Sequence, residues 1–177
     1  MPSGKTHDAI TFLLTVPAAL AVYACTHDGT ITALSGAFFV FGGIMFGPDL
    51  DTASKQYSRW GIFRFVWFPY KSVFRHRSRL THGLALGALI RVVYFFGVVT
   101  FAAFGALALF VAATGGEIPG LINFSKAWHD IGGFAGDLFG MDGMAAIFFG
   151  TWLGAASHTV TDLTVSYIKT GRRGELF

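Results

Sequence analysis

Charge and sulfur are both scarce in this sequence. Only 13% of its 177 residues are Asp, Glu, Lys or Arg, about half the roughly 25% of an ordinary soluble domain, so the bilayer is considered first. The single cysteine, Cys25, excludes an internal disulfide and any thiolate-rich metal cluster. A metal bound here would take nitrogen and oxygen ligands. Ionisable residues are nearly missing from the apolar runs, Arg91 being the nearest exception, which weighs against a small transporter. With a net charge of only +3, no nucleic-acid partner is expected. There is no internal repeat or low-complexity tract, and residues 1–177 read as one membrane domain.

What is abundant is apolar. Hydrophobic residues make up 53% of the chain and the mean hydropathy is +0.57, with 20 Phe and 23 Gly, a mixture commoner in lipid-spanning helices than in soluble ones. Against the roughly 20 residues needed to cross a bilayer, four runs stand out: Ala9 to Cys25, Thr30 to Gly47, Val92 to Ala113 and Met144 to Val160. The expected fold is all-α, a polytopic membrane bundle of about four helices. The first run carries Pro17, which a spanning helix tolerates when neighbours satisfy the freed carbonyl. It is read as a mature helix rather than a signal peptide, because His7 and Asp8 sit at its start. The third continues backwards, so 82–113 reads as one helix of about 48 Å at 1.5 Å per residue, with Arg91 snorkelling or facing the bundle interior.

The cations orient the bundle. Four spans put the amino terminus, the polar loop 48–81 and the carboxyl terminus on one side, and eleven of the 13 Lys and Arg lie there. By the positive-inside rule that side is cytoplasmic, in a plasma or inner membrane. The outer side receives the turn Thr26 to Gly29 and the loop 114–143, whose glycines and aromatics suit a short segment lying along the interface. Within the polar loop, Arg59 to Lys71 interleaves aromatic and basic residues, as an interfacial segment does; a loop packed on the bundle is the alternative.

Residues that played no part in that assignment converge on the cytoplasmic side. His7 precedes the first span, Asp49 and Asp51 end the second, His76 and His82 lead into the third, and His158 and Asp162 end the fourth. His158 and Asp162, four apart, share a helical face, and Ser157, Thr159, Thr161 and Thr164 offer hydroxyls that can fix an imidazole tautomer. Each group also has an ordinary reading: a solvated His7/Asp8 pair at a helix start, capping aspartates at 49 and 51, a basic loop around His76 and His82, and a plain His158/Asp162 hydrogen bond. Their joint arrival at one level of the membrane favours a metal site. His7, Asp49, Asp51, His76, His82, His158 and Asp162 are the candidate ligands, with Asp51 and His76 also candidates for general base.

The stretches Pro2-Ser3-Gly4-Lys5-Thr6-His7-Asp8, Phe46-Gly47-Pro48-Asp49-Leu50-Asp51, Arg75-His76-Arg77-Ser78-Arg79-Leu80-Thr81-His82-Gly83 and the late His158 to Asp162 pair resemble an uncharacterised family of metal-binding membrane proteins. More distantly they resemble the YdjM-like inner-membrane metal-dependent hydrolases, and more faintly zinc-dependent phospholipase C. In the hydrolase-like pattern the two middle histidines stand one residue closer, and serine takes the place of Gly83. The resemblance implies a metal-dependent hydrolase. Mixed His and carboxylate ligands suit zinc, manganese or iron, and seven candidates are enough for one or two ions. Lys71, Arg75, Arg77 and Arg79 are candidates to hold a substrate phosphate. A phosphoester or lipid-like substrate and contact with membrane lipid complete the expectation, and Gly36, Gly42, Gly43 and Gly47, or Gly97 and Gly105, suit close helix contacts, either within the chain or between copies of a homo-oligomer. The rival from another class is a non-catalytic membrane protein in which a metal staples helix ends, serves sensing or docks a partner.

Overall fold

In the computed structural model, residues 4–73, 83, 86–116 and 120–171 are described. Helix α1 (Gly4–Thr26) turns through His27 into α2 (Gly29–Met45). His27 adopts φ 51°, and the Asp28 carboxylate then accepts from the amides of Thr30 (2.7 Å) and Ile31 (3.0 Å), satisfying two free donors of the new helix. After a 3-10 turn (Pro48–Asp51) come the short helices α3 (Lys55–Arg59) and α4 (Phe68–Val73), joined by a second 3-10 turn (Gly61–Trp67). Two long helices follow, α5 (Leu86–Ala113) and α6 (Leu121–Thr170). Among the described residues there is no strand. Among the described residues four helices are long and apolar enough to cross a membrane: Gly4–Thr26, Gly29–Asp51, Leu86–Ala113 and Ile122–Val165.

Small residues let α2 and α6 meet backbone to backbone. A Cβ on Gly42 would strike the Thr151 carbonyl, one on Gly154 the Phe39 carbonyl, and one on Gly150 would lie 2.6 Å from the Ser35 carbonyl. Of the glycines expected to permit close approach, Gly42 and Gly43 do so. Gly97 and Gly105 on α5 face open space.

A helix ends with four unsatisfied carbonyls, and those of α2 are met by side chains from distant residues. Gln56 Nε2 donates to Gly43 (3.4 Å), Arg59 to Ile44 (3.0 Å), Trp60 Nε1 to Met45 (3.2 Å) and Arg91 Nε to Phe46 (2.7 Å). Two of those donors are cations, which also suit the negative end of the helix dipole. A Cβ on Gly47 would strike the Gln56 amide and push it from its place in this cap. This cap pins segment 48–73 across the end of the bundle. Its inward rings build a core in which Phe46, Trp67 and Tyr70 are buried and Trp60 packs against them, with Phe95 of α5 alongside. The Tyr94 hydroxyl donates to the Val66 carbonyl at 2.6 Å. The outward residues Ile62, Phe63, Phe65 and Phe68 are exposed. The aromatic-basic stretch is therefore packed on the bundle through one set of rings and exposed through the other.

Arg91 is fully buried between these parts. Its guanidinium lies beside the Tyr70 hydroxyl and feels the carboxylates of Asp51 and Asp49. It faces the bundle interior. Burial pushes the Tyr70 phenol above its ordinary value, with the neighbouring Arg91 acting against that rise.

Residues 121–139, read from the sequence as part of an outer loop, are helical. In this first segment of α6, Phe124, Trp128, Ile131, Ala135 and Leu138 recur at helical spacing opposite Lys126, His129, Asp130 and Asp137. Gly140, at φ 66° and ψ 172°, then breaks the helix into two, a backbone region open essentially to glycine alone. Beyond the cap region α5 leaves Phe101, Leu109 and Phe110 exposed. Apolar surface of that extent suits hydrocarbon or another protein rather than water.

Candidate metal centre

His7 sits in the first turn of α1, and His158 and Asp162 lie one turn apart near the end of α6. The α2 glycines that admit α6 also admit α1, since a Cβ on Gly43 would strike the Thr11 side chain while lying 3.1 Å from the Gly154 carbonyl. Thr11 is one turn beyond His7 on the same face, and its hydroxyl is 3.5 Å from that of Ser157, the residue before His158. Packing through α2 thus brings the two ends of the chain to one place.

There the two imidazoles stack face to face, centroids 3.6 Å apart and planes inclined by 6°. His7 Nε2 lies 3.2 Å from Asp162 Oδ1, and His158 Nδ1 lies 3.5 Å from Asp162 Oδ2. One ligand atom from each residue falls within 4.8 Å of the others. His7 is only 5% exposed and His158 only 2%. Neutral imidazole is the form that ligates metal.

These atoms fit an ion better than they fit one another. His7 Nδ1, His158 Nδ1 and both Asp162 oxygens are buried with no hydrogen bond of normal geometry. A buried polar atom left in that state costs about 1–3 kcal/mol, so a cluster of them wants a further partner. Two imidazoles and a carboxylate form a known donor set for zinc, manganese or iron(II), one that leaves coordination positions open. Around them, Ser157 Oγ donates to the Gly154 carbonyl (2.7 Å) and Thr161 Oγ1 to the Ser157 carbonyl (2.9 Å), holding those hydroxyls along the helix rather than on the rings.

The other candidates are placed differently. Asp49 and Asp51 lie on the 3-10 turn after α2, in the field of Arg91, and fall outside the three-residue group; the turn does pack against α6. Asp8, beside His7, points to the cations of α3: Lys55 Nζ is 2.7 Å from its carboxylate and Arg59 also pairs with it. Lys71 rests over the Tyr57 ring, 4.3 Å from its centroid. His76, His82, Arg75, Arg77 and Arg79 lie outside the described residues. The cap formed by Gln56, Arg59, Trp60 and Arg91 was not foreseen, although a Gly-Pro break after an apolar helix, followed by a donor-rich stretch, is a signal for such a lid.

A buried two-histidine, one-carboxylate centre, set among described residues that form no strand and include four span-length helices, defines a metal-binding helical protein. Over residues 2–172 the sequence matches the family described as "Uncharacterized metal-binding protein (DUF2227)", and the chain belongs to that family. A protein of Aquifex aeolicus (strain VF5), described as an uncharacterized protein, is 38% identical to it over 60 residues. That stretch is 33% of this chain and 42% of the relative, so the match spans less than half of either protein. No solved structure matches the chain.

Proposed function

We propose that the chain is a membrane-embedded, metal-dependent hydrolase of a phosphoester or lipid-like substrate, working at the cytoplasmic face with both termini on that side. The observation that carries this reading is the His7, His158 and Asp162 group: among the described residues two imidazoles and a carboxylate converge, the donor set that catalytic zinc sites use beside a water. Zinc fits best, with manganese or iron as alternatives. Such an ion, alone or with a second, would polarise the ester and activate water.

The chain's own residues supply the rest. Asp162 presents one carboxylate oxygen toward each imidazole and so holds the pair in register. Asp51, buried on the 3-10 turn that packs against α6, and His76 are candidates to take a proton, and His82 and Asp49 to add ligands. Lys71, Arg75, Arg77 and Arg79 belong to the cation-rich stretch of sequence between the second and third apolar runs and would hold a phosphate. The resemblance to YdjM-like hydrolases points the same way. A second reading, a metal that staples α1 to α6 without catalysis, is favoured by the depth at which both histidines are buried.

Detergent-purified protein, loaded in turn with zinc, manganese and iron, should hydrolyse a chromogenic phosphomonoester or diester, or phospholipid in mixed micelles. Chelator and His158→Ala should each abolish turnover. Full metal occupancy with no turnover on any of these would sink the hydrolase and leave the staple.

A further inference from the structure

Beside the metal centre a groove of about 470 Å³ opens between α1 and α6. Leu14, Pro17 and Ala18 form one wall and Trp152, Leu153 and Val160 the other, with Phe39 of α2 among the lining. That volume lies within the roughly 300–1,000 Å³ of small-molecule clefts. Ser157 is its polar lining residue.

The two walls change character in the same direction. On α1, His7, Thr11, Leu14 and Ala18 follow one another at spacings of four, three and four, so one helical stripe runs from a ligand through a hydroxyl to apolar carbon. On α6, Asp162 and His158 stand above Ser157, and Ala156, Leu153 and Trp152 lie deeper. From His7 to Ala18 the helix rises about 17 Å at 1.5 Å per residue. The hydrocarbon core is about 30 Å thick, so the groove reaches roughly the bilayer midplane and no further. Its walls all belong to span-length helices, so in a bilayer the groove opens to hydrocarbon rather than water.

A polar end at the ligands and an apolar trough one leaflet deep match an amphiphile with a single chain in the trough. We propose that the groove seats one acyl chain of a membrane lipid from the leaflet on the metal side, placing the ester region of that lipid at the His7/His158/Asp162 centre. This rests on the hydrolase reading and narrows its substrate to a lipid. The apolar walls hold the chain by burial and Ser157 marks the border with the polar head. Ala18, small and at the deep end, leaves the trough open.

The test uses vesicles of phosphatidylethanolamine and phosphatidylglycerol doped with a phosphatidylglycerol carrying a diazirine near the end of one acyl chain. After illumination, label is mapped by peptide mass spectrometry, and metal content and lipid turnover are measured on the same preparation. Label should concentrate on Leu14, Ala18 and Leu153 relative to the exposed α5 residues Phe101 and Leu109. Ala18→Trp should reduce groove label about tenfold, within the range that overpacking a cleft produces, while metal content is retained as the check on folding. Leu14→Trp, on the same wall, should do likewise. Equal label on groove and α5, or groove label indifferent to both variants, overturns the proposal even where metal and turnover persist. Concentrated label without turnover on any lipid supports the groove and defeats the hydrolase instead.

Discussion

Replacing Asp162 with asparagine removes one charge and almost no volume, and it strikes the centre where both imidazoles meet. The carboxylate lies 3.2 Å from His7 and 3.5 Å from His158, and its side chain is 12% exposed. A neutral amide in that place ligates divalent ions poorly. Changes in groups that merely orient ligands cost about 10–100-fold in metal affinity, so loss of this ligand should cost at least about a hundredfold, or about 2.7 kcal/mol. The effect can be read through stability as well as stoichiometry. Metal at about a hundred times its Kd stabilises a chain that binds it only when folded by about 2.7 kcal/mol. At roughly 2–4 °C per kcal/mol for a chain of this size, chelator should lower the Tm of the wild type by about 5–11 °C. Asp162→Asn should already melt near the lower temperature and should not respond to chelator. Elemental mass spectrometry and thermal scans of detergent-purified protein give both readouts. Asp8→Asn, which disturbs the Lys55 and Arg59 pairs next to His7, is the control and should keep its metal. An Asp162→Asn protein with wild-type metal content and an unchanged chelator response would refute the ligand assignment.

Other outcomes follow from the packing. Gly154→Ala forces a Cβ onto backbone atoms of Phe39 and Gly43, which cannot give way as a flexible side chain can; a loss of about 1–3 kcal/mol is expected in thermal unfolding. Gly97→Ala, with nothing within 4 Å, should be neutral or stabilising by up to about 1 kcal/mol. Arg91→Met deletes the buried bond to the Phe46 carbonyl and strips Tyr70 and Asp51 of their cation, so it should cost about 3–5 kcal/mol, and Arg91→Lys should restore only part of it. Because the Tyr70 phenol is raised above its ordinary value of about 10, its contribution to stability is intact below that pH and is lost as pH rises through the folded value. Melting temperature followed from about pH 9 to pH 12 should therefore fall more steeply in the wild type than in Tyr70→Phe.

Local pattern made much of this protein readable. Four apolar runs near the length of a bilayer crossing forecast an all-helical chain with four span-length helices, because backbone satisfaction within one segment depends only on that segment. The spacing of four between His158 and Asp162 placed them on one face for the same reason. The helix at 121–139 was legible only as an amphipathic tendency among many glycines, and short-range pattern did not distinguish a loop at the interface from a helix there.

What the sequence by itself determined is therefore what a single helix can hold: the span-length apolar helices, the His158/Asp162 pair and a supply of nitrogen and oxygen ligands without thiolates. Tertiary structure decided the partnerships. The glycine contacts of α2 with α6 and the Thr11 contact with α2 bring His7 against His158. The same end of α2 draws Gln56, Arg59, Trp60 and Arg91 to its four free carbonyls and sets Asp49 and Asp51 in the field of Arg91. Those choices rest on close approach between residues far apart in the chain, where the shape of two packed surfaces, and not periodicity along one, selects which side chains meet.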